Sequence, residues 1–236
     1  MPLIDRVELP APFSHPLRVA FAADFHIRRT TPDDYLDALC GLLSGLGADL
    51  LLLGGDYGES ESAVRRLFQR LNRHKFRYGA YAAVGNNDRE CFPELDRLRD
   101  IVGVPVLANE SASLSVDGVS LEIGGVDEMK GGHPDARALF TRDADYRILL
   151  SHYPVIPDFD GGAPADLVLS GHTHGGQWNL MGFTSYTLGF EHGRAAHLAG
   201  LREYGGVRLL VSTGIGMSKL PLRFGAAPRV HMITLG

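Results

Sequence analysis

Cysteine is scarce in this 236-residue chain: there are two, Cys40 and Cys91. That is too few for a disulfide framework, and they form no C-x-x-C pair. Cys40 stands in an apolar helical stretch and reads as a small packing residue. Long apolar runs are missing as well. No stretch of about 18 uncharged apolar residues occurs, and Met1-Pro2-Leu3-Ile4-Asp5 shows no basic segment leading into an apolar one, so neither a membrane span nor a secretory leader is expected. The chain is read as cytoplasmic. A basic excess is absent too, since 23 Lys+Arg against 28 Asp+Glu leave a formal charge of -5. Such a balance gives no general attraction for polyanions, and no nucleic-acid partner is expected. Arg65, Arg66, Arg70, Arg73, Lys75 and Arg77 do cluster, but on one amphipathic segment and its exit, the pattern of a solvated helix face. Linkers rich in Pro, Gly and Ser, low-complexity tracts and fixed-period repeats are also lacking. One domain over residues 1–236 is expected, with 44% hydrophobic residues to build its core.

What is present is alternation. A short apolar run, a loop bearing Gly or Asp and an amphipathic segment recur through the first half, the pattern of an α/β fold. Leu17 to Ala23 reads as a buried strand, then Thr31-Pro32 as the N-cap and first residue of a helix carrying Leu36, Leu39, Leu42 and Leu43. Leu50 to Leu53 is the next strand, followed by a helix capped at Ser60 or Ser62 with Val64, Leu67, Phe68 and Leu71 on one face. A strand from Tyr78 to Val84 and a helix begun by Pro93, with Leu95, Leu98 and Ile101, complete this half. Later, Leu114 to Val116 and Val119 to Ile123 flank Asp117-Gly118, a two-residue hairpin turn. Arg147 to Leu150, Leu167 to Leu169, Val207 to Val211 and Val230 to Leu235 supply further strands. Two packed sheets with helices outside are expected.

After almost every apolar strand stands a residue able to bind a metal. LRVAFAA precedes Asp24-Phe25-His26, LLLLGG precedes Asp56, and AYAAVG precedes Asn86-Asn87-Asp88. RILLS precedes His152, and DLVLSG precedes His172-Thr173-His174. Open α/β sheets bind ligands beyond the carboxyl ends of their strands, so these loops can converge. Carboxylates mixed with imidazoles suit Mn, Fe, Co, Ni or Zn rather than Mg or Ca. Strand-like alternation would turn Asp24 and His26 to one side, and likewise His172 and His174. Asp56 is the carboxylate best suited to bridge two ions about 3.5–4 Å apart. Gly54, Gly55, Gly85, Gly171, Gly175 and Gly176 allow close backbone approach beside these residues. Each residue alone has a bland reading, a surface His or a turn Asp; five at strand ends together do not.

In order, these segments resemble the D-x-H, G-D, G-N-H-D/E, single-His and G-H-x-H pattern of the calcineurin-like metallophosphoesterase family, from Leu17 to about His174. GHTHGGQ at Gly171 to Gln177, Gly214-Ile215-Gly216 and Pro221-Leu222-Arg223-Phe224 are similar to its compact bacterial branch. The resemblance implies a four-layer αββα fold, a two-sheet β-sandwich flanked by α-helices. It implies two divalent ions, Mn foremost and Fe, Zn, Ni or Co otherwise. Asp24, His26 and His174 would hold one ion, Asp56 would bridge to the second, and Asn86, His152 and His172 would complete that second site. A bridging hydroxide would then attack phosphorus in line.

One position departs from the pattern. Asn87 stands where the family usually has His, the group proposed to protonate the leaving alkoxide, and an amide cannot supply that proton. Asn87 could still hydrogen-bond a phosphate oxygen, so Asn87 and Asp56 are the expected catalytic residues. Phosphodiesters or pyrophosphates are the expected substrates, small and nucleotide-like or lipid-linked. A phosphomonoesterase or protein phosphatase is the alternative enzyme, and a metal-bearing scaffold with little activity the alternative class. Three further features are open between two readings. His133 in a Gly-hinged loop reaches substrate or leads a surface helix. Arg223 contacts phosphate or pairs with a structural carboxylate. Trp178, Met181, Phe183, Tyr186, Leu188 and Phe190 form an apolar rim or pack in the core.

Overall fold

The computed structural model describes residues 1–136, 139–140, 143–154, 165–178, 197–219 and 221–236. Eleven strands and four α-helices follow in the order β1 Leu3–Leu9, β2 Leu17–Ala22, α1 Asp33–Gly45, β3 Leu50–Leu53, α2 Glu61–Leu71, β4 Ala80–Ala82, α3 Asn86–Cys91, α4 Leu95–Val102, β5 Glu110–Val116, β6 Val119–Gly125, β7 Tyr146–Leu150, β8 Leu167–Ser170, β9 Gly200–Tyr204, β10 Val207–Val211 and β11 Arg229–Leu235 among the described residues. They form two mixed sheets, ordered β1-β11-β2-β3-β4 and β5-β6-β7-β8-β10-β9. The strands β2, β3 and β4 run parallel, as do β6, β7, β8 and β10.

Period-two alternation sorts the apolar residues of β2 and β3 onto two faces. Val19, Phe21, Leu50 and Leu52 meet Leu121, Ile123, Ile148, Leu150, Leu167 and Leu169 of the other sheet. Ala20, Ala22, Leu51 and Leu53 face Leu36, Leu39 and Leu43 of α1, Val64, Leu67 and Phe68 of α2, and Leu98 and Ile101 of α4. Each fully buried leucine contributes about 1.5–3 kcal/mol. Sheets buried on both faces leave only strand ends and loops for chemistry. The arginine cluster is solvated and paired: Arg65 with Glu61, Arg66 with Asp33, and Arg70 with Asp33 and Asp37, which ties α2 to α1. A buried histidine stands on the face of the first sheet that meets the second. His231 of β11 is buried, with its ring 6.1 Å from that of Phe21 and its Nδ1 3.3 Å from Asp5 Oδ2. No helix among the described residues is long and apolar enough to cross a membrane.

Several boundaries differ from expectation. Helix α1 starts at Asp33 with Pro32 at the N-cap, because the Thr31 hydroxyl accepts the Arg28 N–H at 2.9 Å and closes the preceding turn instead. The strand expected from Tyr78 to Val84 shrinks to three residues, Ala80–Ala82. Its continuation breaks away toward the six-residue helix α3, which begins at Asn86. Strands β1 and β9 were not expected; both have mostly exposed or half-exposed residues. The Asp117-Gly118 hairpin forms as expected, with φ of 48° and 90°.

Candidate metal centre

All five candidate loops leave the carboxyl ends of parallel strands, and the register keeps those ends level: Ala22 pairs with Leu53, Leu53 with Ala82, and Leu150 with Leu169. The loop backbone is not strand-like. Asp24, His26, Asp56, His172 and His174 all have positive φ, between 42° and 67°. Side chains two apart are therefore aimed by sharp left-handed turns, not by pleat alternation, and such conformations for non-glycine residues concentrate at functional sites. The expected pairing of His172 with His174 on one side fails for this reason. His174 Nε2 lies 3.1 Å from His26 Nε2, whereas His172 Nδ1 lies 2.8 Å from Asn86 Oδ1.

Two groups of donors result, Asp24 with His26 and His174, and Asp24 with Asp56 and His152, with one donor atom per residue and all atoms of a group within 4.8 Å of one another. Asp24 belongs to both. Asp56 Oδ1 accepts the Asn87 N–H at 2.8 Å, which leaves Oδ2 placed 3.3 Å from His26 Nε2 and 3.4 Å from His152 Nε2. His172 and Asn86 flank these groups, with the His172 ring 5.3 Å from that of His152. The chain is packed tightly against the carboxylates: a Cβ on Gly85 would fall 2.0 Å from Asp56 Oδ1, and one on Gly214 2.5 Å from Asp24 Cβ.

The hydrogen bonds behind the rings test whether they suit a cation. A ligating imidazole usually donates its far nitrogen to an acceptor. His26 Nδ1 does so to Glu59 Oε1 at 2.7 Å, and His152 Nδ1 to the Gly54 carbonyl at 2.7 Å. The buried His152 Nε2 has no hydrogen-bond partner, and it points at Asp56 and Asp24. These donors fit a divalent cation. His174 differs, because the guanidinium of Arg223 donates to its Nδ1 at 3.0 Å. Arg223 also donates to the carbonyls of Gly216 and Ala226. Of its two readings, pairing with a structural carboxylate is not what the fold shows, since backbone carbonyls take the guanidinium instead.

Electrostatics follow the same map. Burial opposes charge on His26, but hydrogen bonds to Asp56 and Glu59 and the nearby carboxylates outweigh it and hold the imidazolium up to about 10. His152 is likewise held up to about 10, with Asp56 and Asp24 outweighing its burial. Burial, then His152, pushes His172 well below its ordinary value, and burial, then His26 and Arg223, does the same for His174. Burial raises Asp24, whereas His152 and His26 overcome burial and hold Asp56 well below the usual carboxylate range.

Three neighbours of the donors were given no role by the sequence. Asp88 accepts the N–H groups of Asp56, Tyr57 and Gly85 at 2.7, 3.0 and 2.9 Å, and burial followed by the Asp56 charge raises it to about 7. Glu59 stands behind His26; its only signal was its place three residues after Asp56. The Tyr153 ring stacks on His172 with centroids 3.7 Å apart, and Lys130 Nζ lies 5.6 Å from the Tyr153 centroid. His133 is exposed and leads no helix through Ala136, because its N–H goes to Asp127 Oδ2 and that of Asp135 to Asn109 Oδ1. Trp178 is half-buried and bridges to Phe224, while Met181, Phe183, Tyr186, Leu188 and Phe190 lie outside the described residues.

The sequence profile of the calcineurin-like phosphoesterases matches residues 17–176, which include every residue of the two donor groups. The chain belongs to the calcineurin-like phosphoesterase family. It is 32% identical to the uncharacterized protein YpbG of Bacillus subtilis, over 93% of this chain and 81% of that one. It is 28% identical to the phosphodiesterase YaeI of Escherichia coli, over 93% of this chain and 82% of that one. The fold is similar to that of the Haemophilus influenzae NAD nucleotidase NadN, with TM-score 0.54 and 16% identity over 84% of this chain and 45% of NadN. Membership makes the chain a hydrolase of phosphoric esters that uses divalent metal ions.

Proposed function

We propose that residues 1–236 form one dinuclear metallophosphoesterase domain that prefers phosphodiesters or pyrophosphates of small, nucleotide-like or lipid-linked compounds. The observation that carries this reading is the pair of donor groups sharing Asp24, with Asp56 Oδ2 set between His26 and His152. Asp24, His26 and His174 would hold one ion and Asn86, His152 and His172 the other, with Asp56 shared between them. The chemistry supplied by two divalent ions in such a site is an activated water and neutralisation of charge on phosphoryl oxygens. The chain's own part is to keep the carboxylates dry and aimed. Asn87 N–H and the N–H of His172 fix the Asp56 and Asp24 carboxylates, so their charge is oriented before substrate arrives.

The preference for diesters rests on Asn87, which cannot protonate a leaving alkoxide, together with the likeness to YaeI, a phosphodiesterase. Mn is the favoured metal from the mixed carboxylate and imidazole donors. Two unpaired cysteines suit a cytoplasmic setting. The test is hydrolysis of bis- and mono-substituted aryl phosphates by Mn-loaded protein and by Asp56→Ala. The diester is expected to turn over faster, and the variant to lose at least about 10²-fold, the scale of removing one preorganised stabilising group. Equal rates with and without Asp56 would favour a scaffold, and faster monoester turnover would reverse the substrate order.

A further inference from the structure

A histidine ring turns about its Cβ–Cγ bond in a broad, two-fold well, so a ligating imidazole is aimed only where something fixes that torsion. Behind His26 and His152 the fixing contact is a hydrogen bond from Nδ1, to Glu59 and to the Gly54 carbonyl. His172 is built differently. Its backbone N–H is anchored on both oxygens of Asp24, at 3.0 and 3.1 Å, and its Nδ1 meets Asn86 Oδ1 at 2.8 Å. Nδ1 is then the nitrogen that faces the second cation site, and among the described residues no hydrogen bond reaches the other one, Nε2.

What stands against this ring is Tyr153. The two rings stack with centroids 3.7 Å apart and planes 28° from parallel, while the Tyr153 ring meets that of His152 edge-on, at 6.3 Å and 77°. One side chain thus contacts both imidazoles assigned to the second ion. Its place is built into the fold. The Tyr153 carbonyl accepts the hydroxyls of Ser151 at 2.8 Å and Ser170 at 3.4 Å, and the Gly171 N–H donates to the His152 carbonyl at 3.1 Å. Both serines are buried, so the loop after β7, which carries Tyr153, is stitched to the loop after β8, which carries His172. Tyr153 itself is only 8% exposed, too little for a face that binds substrate.

We propose that Tyr153 is a positioning residue for the second cation: its face sets the plane of the His172 ring, so that Nδ1 is held toward Asn86 Oδ1 and beside His152. This rests on the dinuclear reading above and deepens it. A flat aromatic face constrains a neighbouring ring without occupying either of its nitrogens, so the same contact serves with and without an ion. The role asks for an aromatic face and not for a hydroxyl. Phenylalanine should therefore fill it, and an aliphatic side chain should not.

The experiment is Mn(II) titration of the metal-free chain, read by the electron paramagnetic resonance signal of free Mn(II), for wild type, Tyr153→Phe, Tyr153→Leu, His172→Ala and the Tyr153→Leu/His172→Ala double variant. Metal-free thermal unfolding shows that each is folded. Wild type and Tyr153→Phe should take up two ions alike. Tyr153→Leu should bind one ion as wild type does and the other about 10-fold more weakly, the scale of losing an outer partner of a ligand. The double variant should bind no worse than His172→Ala, because Tyr153 acts through that ring. A second measurement needs no aliphatic variant: the His172 ring protons of wild type and Tyr153→Phe should be displaced upfield by the aromatic face in nuclear magnetic resonance spectra, both metal-free and with Zn(II) bound. Loss of that displacement on Zn(II) binding would overturn the proposal, as would Tyr153→Leu titrating like wild type. Tyr153→Phe binding as weakly as Tyr153→Leu would overturn it as well, by assigning the effect to the hydroxyl. Wild-type protein taking up fewer than two ions would overturn the dinuclear reading itself.

Discussion

Protons and divalent ions compete for His26 and His152. The carboxylates that would draw a cation hold both imidazoliums up to about 10, so each ring must lose a proton before its Nε2 lone pair is available. His172 and His174 are pushed the other way and are neutral at ordinary pH. Mn(II) affinity should therefore rise with pH by about two log units per unit between about pH 6 and 9, measured by calorimetric titration at several pH values; a flat profile would contradict the arrangement. At this scale the candidate donors that the fold brings together were legible in the sequence, because strand ends and residue types are both written there. Their partners were not. Glu59 and Asp88 act through carboxylate directions that depend on where separate loops meet, and the bond from the Asn87 amide to the Gly58 carbonyl depends on the two lying side by side in space.

Among elements, the shortest α-helix of the described residues ties two loops together. From the first turn of α3, Asp88 gathers the N–H groups of Asp56, Tyr57 and Gly85, which ties the loop after β3 to the loop after β4. Removing the carboxylate orphans three buried donors. Asp88→Ala should lower stability by about 3 kcal/mol or more in urea unfolding, and Asp88→Asn, which keeps one acceptor oxygen, by less. An equal and small loss in both would mean that these N–H groups find other partners. The long helices and central strands were legible because their apolar periodicity is strong. Helix α3 was hidden by its six residues and by a sequence, NNDREC, with no apolar stripe. Strands β1 and β9 were hidden because edge strands with exposed faces have little alternation to show.

For the whole molecule, the two-sheet arrangement followed from alternation, but the buried His231, which meets Asp5 of the neighbouring strand in the first sheet, did not. Burial lowers His231 from 6.5 to about 4, with Asp5 opposing and Arg229 assisting. The unfolded chain thus takes up this proton first. Stability from the neutral ring is complete above about pH 6.5 and is lost as pH falls toward about 4. His231→Phe should therefore show a smaller drop in urea midpoint between about pH 7 and pH 4.5 than wild type, and an equal drop would assign the acid limb to other groups. A further property follows from where β11 sits, between β1 and β2 in the first sheet. On the ribosome the earliest strands must wait for residues 229–235 to emerge before β2, with Asp24 and His26 just beyond its tip, gains its second neighbour. A nascent polypeptide that stalls before that point leaves this edge open, so the cation cradle is finished only once residues 229–235 are in place.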